Sequence, residues 1–340
     1  MKQGDVTNTV REVAAAAGVS IATVSRVLNG RGNVAPHTRE LVERAVRELG
    51  GAAPRPRAAG RPLPGAVYLR CPYQLTDYFG VIVSSVAETL ERHGRAVLLS
   101  AGEAAQRAPV LPALAGRSGV AGAVLVLPPE DAGVLDALRG RRFPFVVVDP
   151  RLPPPKDVVA VSAAHAAGSR ALTTHLTGLG HRRIGVIAGP REWLASDARL
   201  AGHAAALADA GELPAPELVR HVEPTVAQGR HAAGELLDLD HRPTALIGFN
   251  DKAAVGALQA AAERGLDVPG DVSVAGFDDI DLSRATRPAL TTVRQPLTEM
   301  GRMAVTLLMR VLERHELEAL HVELATELVV RDSTGAAARR

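Results

Sequence analysis

"TVREVAAAAGVSIATVSRVLNG", residues 9–30, carries two short apolar periodicities separated by one glycine. Thr9 suits a helix N-cap, and Glu12 three residues on completes a capping box. Val10, Val13, Ala14 and Ala17 then recur at helical spacing. Gly18 ends that helix, because glycine relaxes easily into the left-handed conformation of a helix end. Ser20 caps a second helix whose inner face is Ile21, Val24, Val27 and Leu28, and Gly30 stops it. Thr38 to Leu49 gives a third, with Leu41, Val42, Ala45, Val46 and Leu49 facing in. Two helices joined by a tight glycine-containing turn, with a third behind, predict a helix-turn-helix unit.

The second helix leaves Ala22, Thr23, Ser25, Arg26 and Asn29 outside. All are small or hydrogen-bonding, and none is acidic. Such a helix fits a major groove about 12 Å wide, and Arg26 can pair with guanine or clamp a phosphate. A purely structural three-helix bundle is the plainer alternative. Charge favours the first, although a solvated basic tail would carry the same charge. Residues 1–65 hold ten Lys/Arg against five Asp/Glu, so the remainder of this +2 chain is slightly acidic. A basic head on an acidic body suits an anionic partner for the head alone.

The totals bound the rest. The 340 residues suit two or three domains. Cores built at 46% hydrophobic but 3% aromatic content rest on Ala, Val and Leu. No apolar run is long enough for a membrane span, and the first twenty residues lack a signal-peptide pattern. The single Cys71 excludes an internal disulfide and a cysteine-based zinc cluster. A cytoplasmic protein is expected.

From Gly65 onward apolar runs alternate with helical stretches. The strands are "AVYL", "RAVLLS", "GAVLVL", "PFVVVD", "VVAVS", "RIGVIAG", "ELVRHVE", "TALIGF" and "VSVAGF". The helices are 79–93, 130–139, 164–178, 197–210, 227–238, 251–264 and 297–313. Apolar strands alternating with helices predict α/β architecture, here two doubly wound parallel-sheet units behind a small all-α headpiece.

Enzyme signatures are missing: no G-x-G-x-x-G after a strand, no P-loop, no H-E-x-x-H, no G-x-S-x-G. His165, His175 and His181 spread over one helix and its end, and read as structural or surface histidines rather than metal ligands. No catalytic group, cofactor or metal is expected. What does stand at the strand ends is polar: Asp77, Tyr78 and Phe79, then Trp193 and Arg199, then Asn250 and Asp251, then Asp278 and Asp279. In doubly wound folds ligands bind at those ends. Aromatic rings with an arginine, an amide and carboxylates suit a polar small molecule such as a sugar. "FND" and "FDD" also read as plain helix-start signals.

"AGVS.ATVSRVLNG" resembles the N-terminal headpiece of LacI/GalR-type bacterial transcription regulators. The resemblance implies that Ile21 and Ala22 read bases first, and that Thr23, Ser25, Arg26 and Asn29 support base and phosphate contacts. It places Thr9, Ser20, Asn33, Val34 and Thr38 where the family touches the DNA backbone. Apolar Ile21 and Ala22 would then read thymine methyls or shape. "LGHRRIGVIAGP", "RLAGHAAAL", "FNDKAAVGALQAAAERGLDVPGDVSVAGFDDID" and "PALTTVRQP" look like the same family's effector core, which is similar to periplasmic sugar-binding proteins. The implied ligand positions are Tyr78, Phe79, Arg199, Asn250 and Asp278, with Trp193 as a further stacking group. Two positions depart from the family. Ala164 and His165 stand where an Asp-Asn pair is usual, and Pro224 replaces an aromatic.

The implied organisation is a headpiece over 7–50, a linker over 51–65, a first lobe over 66–163 completed by about 293–318, and a second over 164–292 completed by about 319–333. The implied function is a homodimeric, sequence-specific repressor of sugar or other small-metabolite genes that binds a pseudo-palindromic operator under the control of a small effector, expected to be a sugar. A solute receptor without a DNA role is the rival, and an activator role is the alternative to repression. The linker "GAAPRPRAAGRPLPG" departs most. The family forms a short helix here whose Leu wedges into the minor groove. This chain has Pro56 inside that helix and Gly60 at the Leu. A stiff spacer laying Arg55, Arg57 and Arg61 along phosphates is favoured over a shifted wedge at Leu63.

Overall fold

The computed structural model describes residues 9–28, 34–49, 65–107 and 110–337. It divides into two units, 1–63 and 64–340, each with its own core.

The first unit holds α1 (Val10–Ala17), α2 (Ile21–Leu28) and α3 (Pro36–Glu48). The capping box is formed: Glu12 N donates to Thr9 Oγ1 at 3.3 Å, and Thr9 N to Glu12 Oε2 at 2.7 Å. Gly18 ends α1 at φ +64°. Ser20 Oγ accepts from Thr23 N at 3.1 Å, which caps α2. Val13, Ala14, Val24, Val27, Val42 and Ala45 are the buried core. The third helix begins at Pro36 rather than at the expected Thr38, since proline at the first turn loses no helical bond. Two apolar residues expected inside are not. Leu49 is 39% exposed at the cap of α3, and Ile21 is 49% exposed at the first position of α2.

The second unit contains two α/β lobes. The first is built from β1 (Ala66–Cys71), α4 (Asp77–Arg92), β2 (Val97–Ala101), α5 (Glu103–Arg107), α6 (Leu111–Leu114), β3 (Val120–Val126), α7 (Ala132–Gly140), β4 (Phe145–Val148) and β5 (Ala160–Ala163). The chain then enters the second lobe. There it forms α8 (His165–Gly178), β6 (Ile184–Ala188), α9 (Leu194–Asp209), β7 (Val219–His221), α10 (Val226–Leu237), β8 (Ala245–Gly248), α11 (Asp251–Glu263), β9 (Ser273–Asp278), α12 (Asp281–Ala285) and β10 (Thr291–Arg294). It returns to the first lobe for α13 (Leu297–Leu312) and β11 (His321–Leu324), and ends in the second with β12 (Glu327–Val329).

The sheets run β11-β5-β4-β3-β1-β2 and β12-β10-β9-β8-β6-β7. Among the described residues every strand pairing is parallel except β10 with β12. Val124–Val126 and Val146–Val148 are fully buried, as strands covered on both faces must be. The expected lobe boundaries need correction at the C-terminal end. Residues 291–294 pair with β9 in the second sheet, so the stretch returning to the first lobe starts after Arg294. Residues 321–324 pair with β5 in the first sheet, not the second. The "ELVRHVE" strand shortens to Val219–His221, because Pro216–Leu218 takes a 3₁₀ turn.

Alanine and glycine let the helices of the second lobe pack closely. At Gly202 of α9 a Cβ would lie 2.1 Å from the Ala166 carbonyl oxygen of α8. Among the described residues no helix is long and apolar enough to cross a membrane.

Candidate functional site

Among the described residues three crossings join the lobes, and the carboxyl ends of both sheets meet beside them. A cavity of about 220 Å³ opens there, with walls from both lobes. Tyr78, Phe79, Trp193, Arg199, Asn250 and Asp278 all line it. Tyr78 and Phe79 start α4; Trp193 precedes α9, which carries Arg199; Asn250 precedes α11; Asp278 ends β9. Strand-end placement therefore gathers residues from four separate stretches of the sequence.

The apolar wall spans the lobes. Leu127 packs with Trp193, Ala195 and Phe249, and Tyr73 and Phe79 lean on them. The Tyr73 and Phe79 rings stack at 4.5 Å and 6°. Trp193 meets Phe249 edge-on at 6.0 Å. Trp193 is 9% exposed, and its Nε1 has no hydrogen-bond partner among the described residues.

The polar wall is a connected network. Tyr78 Oη donates to Asp149 Oδ2 at 2.6 Å, and His165 Nε2 lies 2.8 Å from Asp149 Oδ1. Arg199 Nη2 lies 3.3 Å from His165 Nδ1, and its Nη1 donates to the Phe249 carbonyl. Its guanidinium sits over Phe249 at 4.3 Å and Phe277 at 3.8 Å. Gln295 Nε2 donates to Asp278 Oδ1 at 2.6 Å. Asp149 and Asp278 both take positive φ, +51° and +121°, a backbone state that non-glycine residues rarely hold and that clusters at functional sites.

Burial and neighbouring charges pull the two carboxyls in opposite directions. Burial alone would raise Asp149, but the charge and hydrogen bond of His165, the Tyr78 bond and the Arg199 charge bring it below its ordinary value. Burial raises Asp278 to about 7, opposed by Arg199 and the Gln295 bond and reinforced by Asp149. Burial and the charges of Asp149 and Asp278 hold Tyr78 well above the usual phenol range.

Sequence reasoning missed Asp149, Tyr73, Leu127 and Phe249. Asp149 ends the strand "PFVVVD", so the strand-end rule would have found it. His165 is structural, as expected of the three histidines, but it also reaches the network. His175 bonds Thr334 at 3.0 Å, and His181 bonds Thr244 at 2.9 Å and Ser273 at 3.0 Å. Asn250 serves largely as a helix cap, its Oδ1 accepting from Ala253 N at 2.9 Å. Asp251 and Asp279 turn inward: Asp251 accepts from Thr292 at 2.5 Å and Ile280 N at 2.9 Å, and Asp279 pairs with Arg284, Arg294 and Arg331. Among the described residues no cluster of three His, Cys, Asp or Glu is placed to hold a metal ion.

In the first unit Thr9, Ser20 and Ile21 are exposed, while Thr23, Val34 and Thr38 are half-buried. Val34 packs against the headpiece core. Ala22, Ser25 and Arg26 fall within α2, but their side chains lie outside the described residues, as do Asn29, Asn33, Arg55 and Arg57.

A helix-turn-helix unit on the same chain as a two-lobed core with a polar cavity defines a DNA-binding transcriptional regulator. The model of bacterial regulatory proteins of the lacI family matches residues 9–50, and that of a periplasmic binding protein-like domain matches 173–334. The HTH-type transcriptional regulator MalR of Streptomyces coelicolor is 36% identical, with 98% of both chains covered. The HTH-type transcriptional repressor CytR of Escherichia coli is 33% identical over the same shares. Two solved structures are similar along the chain. The complex of the transcriptional regulator CelR with cellobiose has TM-score 0.72 at 32% identity, covering 96% of this chain and 99% of the other. The lac repressor dimer bound to operator and anti-inducer has TM-score 0.71 at 29% identity, covering 97% and 100%. The chain belongs to the lacI family.

Proposed function

We propose that this regulator is a cytoplasmic repressor, that it binds a pseudo-palindromic operator as a homodimer, and that a sugar in the inter-lobe cavity sets its operator affinity. One observation carries the reading: the cavity is walled by both lobes and combines aromatic faces with buried, partly unpaired polar groups. A ligand touching both walls is held best when the lobes are closed, and it shifts the protein only by that difference in affinity. The described contacts across the lobes already include Leu194 N to the Arg151 carbonyl at 2.9 Å, Arg151 to Glu192 at 3.1 Å and Lys252 to Asp77 at 3.8 Å. CelR is named in complex with cellobiose, and the lac repressor as a dimer on its operator; both support the reading.

Ile21, exposed at the start of α2, is the position we assign to base reading, with Ala22 beside it. Thr9, Ser20, Thr23, Ser25, Arg26, Asn29, Asn33, Val34 and Thr38 would support base and backbone contacts, and Arg55 and Arg57 would follow phosphates from the linker. The role is binding rather than catalysis. Selection of sites from fragmented genomic DNA by the full chain tests the DNA half. A shared pseudo-palindrome should emerge; recovery of random fragments would refute it.

A further inference from the structure

The amino-terminal face of the first lobe carries arginines that neither the headpiece nor the cavity uses. We propose that this face is a second DNA-backbone contact, with Arg117, Arg142 and Arg314 resting on phosphates of the duplex that flanks the operator. The inference rests on the DNA role of the headpiece and adds a contact outside it.

Position is the first argument. Strands β1, β3, β4 and β5 run parallel, so their amino ends share one face. The linker joins this face at Gly65, one residue before β1, where Arg95 Nη1 donates to the Gly65 carbonyl at 3.1 Å. Arg117 precedes β3, and Arg142 precedes β4. Arg314 follows α13 and lines one groove together with Arg142, Pro144, Asp157 and Val158. In the sheet β4 lies two strands from β1, so its start is about 10 Å from the linker's entry at about 4.8 Å per strand. The headpiece is covalently joined to this face, so a duplex that it carries is present here at high local concentration.

Backbone conformation is the second. The second residue after α4, α8, α9 and α11 is a glycine of positive φ: Gly94, Gly180, Gly211 and Gly265. At the same place after α7 and α13 stand Arg142 at φ +53° and Arg314 at φ +59°. Arginine is strained in that conformation and glycine is not. The helices do not need the extra charge. Arg139 and Arg310 already occupy their last turns, where a cation favours the helix dipole. Backbone strain without local compensation marks functional positions, and both strained arginines line the same groove.

Free charge is the third. Arg117, Arg142 and Arg314 are all exposed. Among the described residues the side chains of Arg142 and Arg314 have no ion-pair or hydrogen-bond partner, and that of Arg117 lies over the Tyr68 ring at 5.9 Å. The carboxylate lining the groove, Asp157, is taken by Arg139. Glu313, next to Arg314 in the chain, has its Oε2 3.5 Å from His315 Nδ1. Unpaired guanidinium groups on one face fit a polyanion, and duplex DNA offers one phosphate charge per about 1.7 Å of its axis. The linker is no rival occupant, because its own charged residues are Arg55, Arg57 and Arg61.

The test is fluorescence anisotropy of the full chain on two duplexes: the selected operator alone, about two helical turns long, and the same operator centred in about six turns. Wild type should bind the longer duplex more tightly. Arg142→Gly combined with Arg314→Gly removes two charges and relieves both strained positions, so the melting temperature should equal or exceed that of wild type. Affinity for the long duplex should nevertheless fall about tenfold, and the slope of log K against log salt should shrink by at least about two. Affinity for the short duplex should stay at the wild-type value. Adding Arg117→Gln should weaken long-duplex binding further. Equal affinity and slope for variant and wild type on the long duplex overturn the inference and leave the headpiece reading standing; an acidic protein would then be the partner to seek for this face. An equal loss on both duplexes also overturns it, because the effect then lies in the headpiece or the fold. A variant melting well below wild type shows that the arginines serve the fold, and counts against it. Failure of wild type to bind either duplex overturns both readings.

Discussion

His165 Nε2 stands 2.8 Å from Asp149 Oδ1, and the pair joins the first residue of α8 in the second lobe to the end of β4 in the first. Both side chains are more than nine-tenths buried. The contact lies beside a crossing point, so it fixes the hinge end of the cavity. Asp149 in turn holds the Tyr78 hydroxyl, which sets the orientation of a cavity-lining ring.

Removing the imidazole leaves a buried carboxylate with one hydrogen bond fewer. His165→Ala should cost about 1–3 kcal/mol of stability, read as a lower urea midpoint. It should also weaken the response of DNA binding to sugar while leaving sugar-free DNA binding near wild type. A stability change below about 0.5 kcal/mol, the range typical of surface substitutions, would show that the pair contributes little.

Asp278 gives a pH dependence. Its carboxyl is raised from 3.8 to about 7, mainly by burial. The folded chain therefore binds more protons than the unfolded chain between these values. That contribution to stability is fully present below about pH 4 and is lost as pH rises through about 7. Asp278→Asn keeps a neutral group at the site. The stability of this variant relative to wild type should rise from pH 5 to pH 8 in paired urea melts. A flat or falling difference would place the ionised carboxylate in a comfortable environment.

Gly202 allows α8 and α9 to touch. A Cβ there meets the Ala166 carbonyl oxygen at 2.1 Å, a rigid backbone atom. Gly202→Ala should destabilise by about 1–3 kcal/mol through overpacking, despite its gain in helix propensity. Unfolding calorimetry reads this directly; a stabilised variant would mean that the helices separate at no cost.

Much of this was legible in the sequence. Thr9 with Glu12, Gly18 and Ser20 mark the ends of α1 and the start of α2 because caps are local chemistry. The α/β alternation was legible because parallel strands buried on both faces are unbroken apolar runs. The return path was not. β11 and β12 are three or four residues long and only half-buried, so no apolar run announces them, and their sheet is set by the crossings. The cavity was legible where a polar residue follows an apolar strand. It was not legible at Tyr73 or Leu127, which reach it through tertiary packing. Nor could sequence tell that, of these two cavity-lining residues, Asn250 is occupied as a helix cap whereas Asp278 is not.

In the headpiece, exposure separates reading from packing. Ile21 is half exposed and Val24 fully buried, three residues apart on α2. Ile21→Ala should change the preferred operator base with little loss of stability, whereas Val24→Ala should cost about 1–3 kcal/mol in the headpiece core. Binding on matched and substituted operators, together with thermal melts, checks both. Operator affinity should also fall steeply with salt as counterions are released.

Coupling between cavity and DNA is the central claim. It is tested most directly by fluorescence anisotropy of the full chain on its selected operator, with and without a saturating sugar whose binding calorimetry has established. Operator Kd should shift at least about tenfold, a coupling of about 1.4 kcal/mol, and Trp193→Phe should move the sugar concentration needed for half the shift. A sugar that demonstrably fills the cavity yet leaves operator Kd unchanged would contradict the account.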